Sequence, residues 1–146
     1  MNIPTTSDWH SEPLCLDGRW ACERFSGLNE NQAFVLFVEN ALNLSEALLS
    51  MPTLCFRFYI RLYMRYLQSP ESEGDSDGAH AFFGVVEGRW QDVPPDDPSF
   101  KRELAAVLRR LASKQAWYDA EAGIYGSFSE RARRCCELTG GEAGHS

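Results

Sequence analysis

The sequence predicts an all-α fold: a single-domain bundle of about five helices with an irregular N-terminal arm. Three observations carry that prediction. Capping sequences stand directly before apolar runs at Asn29, Asp97 and Ser127. The runs they open repeat at helical spacing, most cleanly between Phe100 and Leu111. A chain of 146 residues with 44% hydrophobic content fits one domain with a core able to stand alone.

Residues 1–27 carry Trp9, Trp20 and Phe25 among scattered Gly, Pro and Ser with no helical or alternating period, and read as an arm laid over the domain. The helical domain is expected over 28–139. Asn29-Glu-Asn-Gln32 has the form of a capping box, so a helix should open there. Phe34, Phe37, Val38, Ala41 and Leu42 are expected to form its inward face, with an end near Asn43 and a short helical turn over Leu44 to Leu49. Pro52 suits the first turn of the next helix, where a missing N–H costs nothing. That helix runs to about Gln68.

Ser69 to Gly78 is acidic, rich in turn residues and free of apolar ones, which predicts a surface loop. Residues 80–90 fit a helical face through Phe82, Val86 and Trp90, while Phe-Phe-Gly-Val-Val favours a strand; helix is preferred from the neighbours. Asp97 as N-cap and Pro98 at the first helical position open the next helix, expected to reach about Trp117. Phe100, Leu104, Val107, Leu108 and Leu111 share its inner face. Ser127-Phe-Ser-Glu130 opens a last helix that stops before Gly140-Gly141, with 140–146 as a loose tail.

The segment Leu54 to Leu67 places Arg57, Arg61 and Arg65 four residues apart in an otherwise apolar run. Each step of four advances a helical side chain by about 40°, so the guanidiniums share one stripe, with Tyr59, Tyr63 and Tyr66 on the opposite face. A row of guanidiniums on a rigid helix can take carboxylates or phosphates bidentately, which makes Arg57, Arg61, Arg65, Tyr59 and Tyr63 a candidate anion-binding set. The preferred alternative has each arginine paired with a carboxylate of a neighbouring helix or lying along a solvent edge. The tyrosines are then core residues.

Net charge is −7, which argues against direct nucleic-acid binding and favours a basic protein partner. Glu71, Glu73, Asp75 and Asp77 are the candidate partner-binding residues. The same loop matches the EF-hand spacing at Glu73, Asp75, Asp77 and Gly78, but Gly84 and His80 fall where a bidentate Glu and an apolar residue belong. Of three histidines, only His80 lies outside the N-terminal arm and C-terminal tail, and the five cysteines lack ligand spacing, so no metal or cofactor is expected. Cys55 and Cys135 read as small core residues. The odd cysteine number and the absence of a secretion signal or an apolar span predict a reduced cytoplasmic location, with no membrane association. No nucleophile elbow, P-loop or dinucleotide fingerprint is present, so the expectation leans away from an enzyme.

Phe56-Arg57-Phe58-Tyr59-Ile60 and Tyr63-Met64, preceded by Met51-Pro52-Thr53, resemble a segment shared by a family of small, uncharacterised bacterial proteins that reads approximately Phe-Arg-Tyr-Tyr-Leu-Pro-Ala-Tyr-Met. Arg61 stands where that pattern has proline, which predicts a straighter helix here. The resemblance covers about twenty residues and implies a small helical protein with no catalytic residues to carry over. The leading functional expectation is therefore a non-catalytic acidic binding protein acting on a basic partner, with a toxin-neutralising immunity protein as its most specific form. The alternative is a small-molecule or anion binder, or an enzyme, using the Arg/Tyr set. A homo-oligomer is a third arrangement.

Overall fold

The computed structural model describes residues 2–140, which form eight α-helices and two short 3-10 turns with no strand among the described residues. In chain order they are α1 (Thr6–Trp9), α2 (Leu16–Phe25), α3 (Glu30–Leu48), α4 (Thr53–Gln68), α5 (Ser76–Arg89), α6 (Pro98–Ser113), α7 (Ala122–Tyr125) and α8 (Phe128–Thr139). The all-α class is as the sequence predicts. The count of about five is too low, because α1, α2 and α7 were not expected. Beyond Gly140, the expected loose tail lies outside the described residues.

Five helices close a ring, α3 on α4, α4 on α6, α6 on α8, α8 on α5 and α5 back on α3. The core they enclose is aromatic. Phe37 and Phe82 flank Tyr63, and Phe83 meets Phe128 edge to face. On α6 the five apolar residues read from the sequence are all buried.

The N-terminal arm is laid over the domain, but it is helical. Trp9 of α1 and Phe25 of α2 both rest on Tyr59 of α4, with ring centroids 5.9 and 4.3 Å away. In α2 the inward residues are Gly18, Ala21 and Phe25, while Leu16 and Trp20 face solvent. The large apolar side chains thus point the wrong way for an amphipathic pattern, and the period vanishes from the sequence. Gly18 is required: a Cβ there would stand 2.8 Å from the Ser50 carbonyl oxygen.

Asn29 caps α3 with the expected reciprocal bonds to Gln32, 2.8 Å each way. The helix does not end near Asn43 but bends at Asn40, whose backbone is extended (φ −162°, ψ 76°) and whose Oδ1 accepts from the Asn43 N–H at 3.1 Å. Asn40 therefore acts as an internal N-cap, and the second half of α3 starts afresh there. Pro52 is the N-cap residue of α4 rather than in its first turn, and α4 runs unbroken to Gln68. Residues 76–89 are helical, which settles the ambiguous stretch, and the helix opens earlier than expected because Asp75 Oδ1 accepts from the Gly78 N–H at 3.0 Å. Asp97 and Pro98 open α6 as predicted, but α6 ends at Ser113 and not near Trp117. Tyr118 turns inward after it, and Asp119 takes a left-handed backbone (φ 59°).

Arginines close the C-terminal ends of helices they do not belong to. Arg89 donates to the Leu48 and Met51 carbonyls at the end of α3, at 2.9 and 2.8 Å. Arg110 donates to Leu67 O at the end of α4 and stacks on Trp117. Unpaired carbonyls at a helix end carry partial negative charge, and a guanidinium satisfies both their hydrogen bonding and their field.

Candidate partner-binding face

The acidic candidates belong to one surface, and α3 and α5 build it. These helices lie side by side and parallel: a Cβ on Gly78 would touch Ala41, and one on Gly88 would touch Leu49. The start of the second half of α3 at Asn40 and the start of α5 at Asp75 therefore sit together. A groove of about 370 Å³ opens there, between Glu39 of α3 and Glu71, Glu73, Asp75 and Asp77. Two helix N-termini carry partial positive charge toward this corner, which offsets the repulsion among carboxylates gathered on it.

Asp75 and Asp77 are partly committed to the fold. Asp75 caps α5 through Oδ1 and accepts from the Tyr66 hydroxyl through Oδ2 at 2.6 Å. Asp77 accepts from Tyr125 Oη at 2.7 Å. Glu39, Glu71 and Glu73 are exposed, and their carboxylates make no hydrogen bond or ion pair with any described residue. The loop between α4 and α5 is also tighter than a solvated linker: Ser72 is fully buried, its hydroxyl donating to Leu67 O, and the Gly74 N–H donates to Trp117 O. Among the described residues no three His, Cys, Asp or Glu side chains are grouped so as to hold a metal ion.

The whole negative charge of the chain resides in these two stretches. Residues 29–56 and 66–88 contain eight acidic residues and no Lys or Arg, leaving thirteen acids against fourteen bases elsewhere. The first base after α5 begins, Arg89, is turned beneath the face toward the α3 carbonyls and is 12% exposed. The loop acids are grouped in the sequence but Glu39 is not among them, because only the packing of α3 on α5 brings it to the same groove, while Glu46 lines a different one with Asp17 and Trp20 of α2.

The anion-binding candidates do not converge. Tyr59 and Tyr63 point into the core, on the side of α4 opposite the stripe, and burial holds both phenols well above the ordinary tyrosine range. The three arginines follow the narrow solvent edge of α4, each with a partner from the protein. Arg57 Nε donates to Asp92 O at 2.7 Å, and Arg65 pairs with Glu30. Arg61 lies 3.7 Å from both Asp97 and Glu103 and over the Phe100 ring at 5.1 Å. Its Nε is buried without a hydrogen bond, the one such side-chain atom among the described residues. Since both ion pairs are long and a quarter to a third exposed, Arg61→Met is expected to change unfolding free energy by less than about 1 kcal/mol in urea denaturation. A methionine there keeps the apolar contact with Phe100 and leaves no orphaned nitrogen.

His80 sits behind the acidic corner, its Nε2 3.3 Å from an Arg131 nitrogen, with Asp77, Glu87, Tyr125 and Phe128 around it. Arg131 in turn holds Glu87 with both ends of its fork, at 3.0 and 2.7 Å. Burial first, and the Arg131 charge second, hold the imidazole below its usual pKa. The unfolded chain therefore binds a proton near pH 6.5 that the folded chain resists, so stability falls as pH drops below that value and levels off under the folded pKa. Melting temperatures at pH 7.5 and 5.5 should differ more in the native protein than in His80→Gln.

None of the five cysteines is joined in a disulfide. Burial pushes Cys55 and Cys135 up to about 12, in keeping with core positions, whereas exposed Cys15 is held below the ordinary thiol range by the Gly18 N–H at the start of α2. No helix among the described residues is long and apolar enough to cross a membrane. No family model, curated protein or solved structure matches the chain.

Proposed function

We propose that this protein is a non-catalytic binding protein that acts on a basic protein partner through the α3/α5 face. The observation that carries this reading is the charge partition: the two adjoining stretches hold eight acids and no Lys or Arg, only Glu30 and Glu87 among them are ion-paired with described residues, Arg65 and Arg131, and the rest of the chain is balanced. A field of one sign over one face steers an oppositely charged partner to it and repels nucleic acid and anionic lipid. The unpaired Glu39, Glu71 and Glu73 are the groups free to meet it; Asp75 and Asp77 fix the corner on which they stand. Neutralisation of a basic toxin nuclease, as an immunity protein, is the most specific form of this function, and the cytoplasm is its natural site.

Capture of partners from a native lysate tests the reading. Tagged protein should retain a basic protein at low ionic strength and lose it progressively toward physiological salt, and Glu71→Gln/Glu73→Gln should retain much less. Recovery of no salt-sensitive basic partner would remove the basis for the proposal.

A further inference from the structure

The acidic corner continues into a second feature that charge alone does not explain. Below it, Leu42 of α3 (42%) and Leu49 at its C-cap (45%) are exposed, and the adjoining side of α5 carries Ala81, Gly84 and Gly88. Leu42 and Leu49 are seven residues apart, so they stand about two turns, roughly 10 Å, apart on one side of α3. Gly84 has no heavy atom within 4 Å of where a Cβ would be, so its stretch of α5 is open to solvent and bare of side chain. The result is a shallow trough: a leucine wall on α3, a small-residue floor on α5, and an acidic upper end.

From this geometry we infer that the trough docks an amphipathic helix of a basic partner, with apolar residues two turns apart against Leu42 and Leu49 and basic residues at the Glu39, Glu71 and Glu73 end. The inference rests on the binding function proposed above and names the shape of the partner. Bare α5 backbone lets a helix approach closely, and exposed leucines at i and i+7 match the spacing at which a helix presents its own anchors. Charge complementarity selects the occupant. A second copy of this chain has no Lys or Arg in these stretches to set against the acidic end, and a nucleic acid or an anionic membrane is repelled by it.

The test uses a helical peptide of about sixteen residues built from leucine and lysine, the leucines on one stripe, and a second peptide of the same composition with the stripe scrambled. At low ionic strength the striped peptide should bind at least tenfold more tightly, by fluorescence anisotropy. That preference should vanish in Leu42→Gln/Leu49→Gln, and independently in Gly84→Gln, which fills the floor where the structure has open space. Circular dichroism confirms that each variant is folded. Equal binding of both peptides, lost in Glu71→Gln/Glu73→Gln, overturns the trough and leaves the acidic function standing. If neither peptide binds the native protein, both fall. Sedimentation of a dimer that Leu42→Gln/Leu49→Gln dissociates makes a second copy the occupant and likewise overturns the inference.

Discussion

Arg89→Met is expected to lower the free energy of unfolding by about 3 kcal/mol, the scale for breaking a largely buried charge pair by removing one partner. Arg89 is 12% exposed and does four things at once. It bonds the Leu48 and Met51 carbonyls, pairs with Asp92 at 2.6 Å, and lies over the Phe56 ring at 4.4 Å. Methionine retains only the ring contact. Two carbonyls at the end of α3 lose a donor, and the Asp92 carboxylate keeps only the Thr53 hydroxyl at 3.0 Å. The same residue holds the C-terminal end of α5 to that of α3, so the loss should also loosen the lower end of the trough. Chemical denaturation measures the first effect, and amide exchange of Leu48 to Thr53 measures the second. A loss under 1 kcal/mol would mean that these bonds are replaced by water at no cost.

Tyr63→Ala is expected to cost about 4 kcal/mol and Tyr63→Phe about 1 kcal/mol, the difference being ring packing and the smaller value one hydrogen bond. Tyr63 is wholly buried between Phe37 of α3, 5.3 Å between centroids, and Phe82 of α5, 5.1 Å and edge to face. Its hydroxyl donates to the Gly78 carbonyl in the first turn of α5. The Phe variant keeps the packing and leaves Gly78 O with its intrahelical partner, so the penalty is small. The Ala variant opens a cavity under the seam that unites the proposed binding face. Equal losses in the two variants would contradict this division, since they would place the stability in the hydroxyl.

Helix starts were legible because capping is local chemistry: Asn29, Asp97 and Ser127 cap the helices they were read to cap. Where the signal was not local it failed. The inverted α2 hides its period, and the single turns of α1 and α7 are too short to have one. The bend at Asn40 is made by an asparagine side chain that looks, in sequence, like any polar residue on a helix surface. The arginine stripe is real, but its partners are Asp92, Asp97, Glu103 and Glu30, from elements distant in the chain. Sequence shows the spacing of charges along one helix and cannot show which helix faces it.

The acidic face was half legible for the same reason. Glu71, Glu73, Asp75 and Asp77 lie close in sequence and were visible as a group. Glu39 joins them only because α5 lies parallel to the second half of α3. That packing depends on small residues, with Gly78 against Ala41 and Gly88 against Leu49. Glycines scattered through residues 74–88 read as loop or strand signals in isolation, and here they are what lets two helices approach.

Charge reversal with a matched control tests the central claim most directly, that the α3/α5 face and not the overall charge recruits the partner. Glu39→Lys/Glu71→Lys/Glu73→Lys and Asp96→Lys/Glu121→Lys/Glu130→Lys each replace three exposed acids by bases, and each moves the net charge from −7 to −1. Capture of the basic partner at low ionic strength should be lost in the first triple variant and largely retained in the second. Equal loss in both, or retention in both, would contradict the assignment of binding to this face.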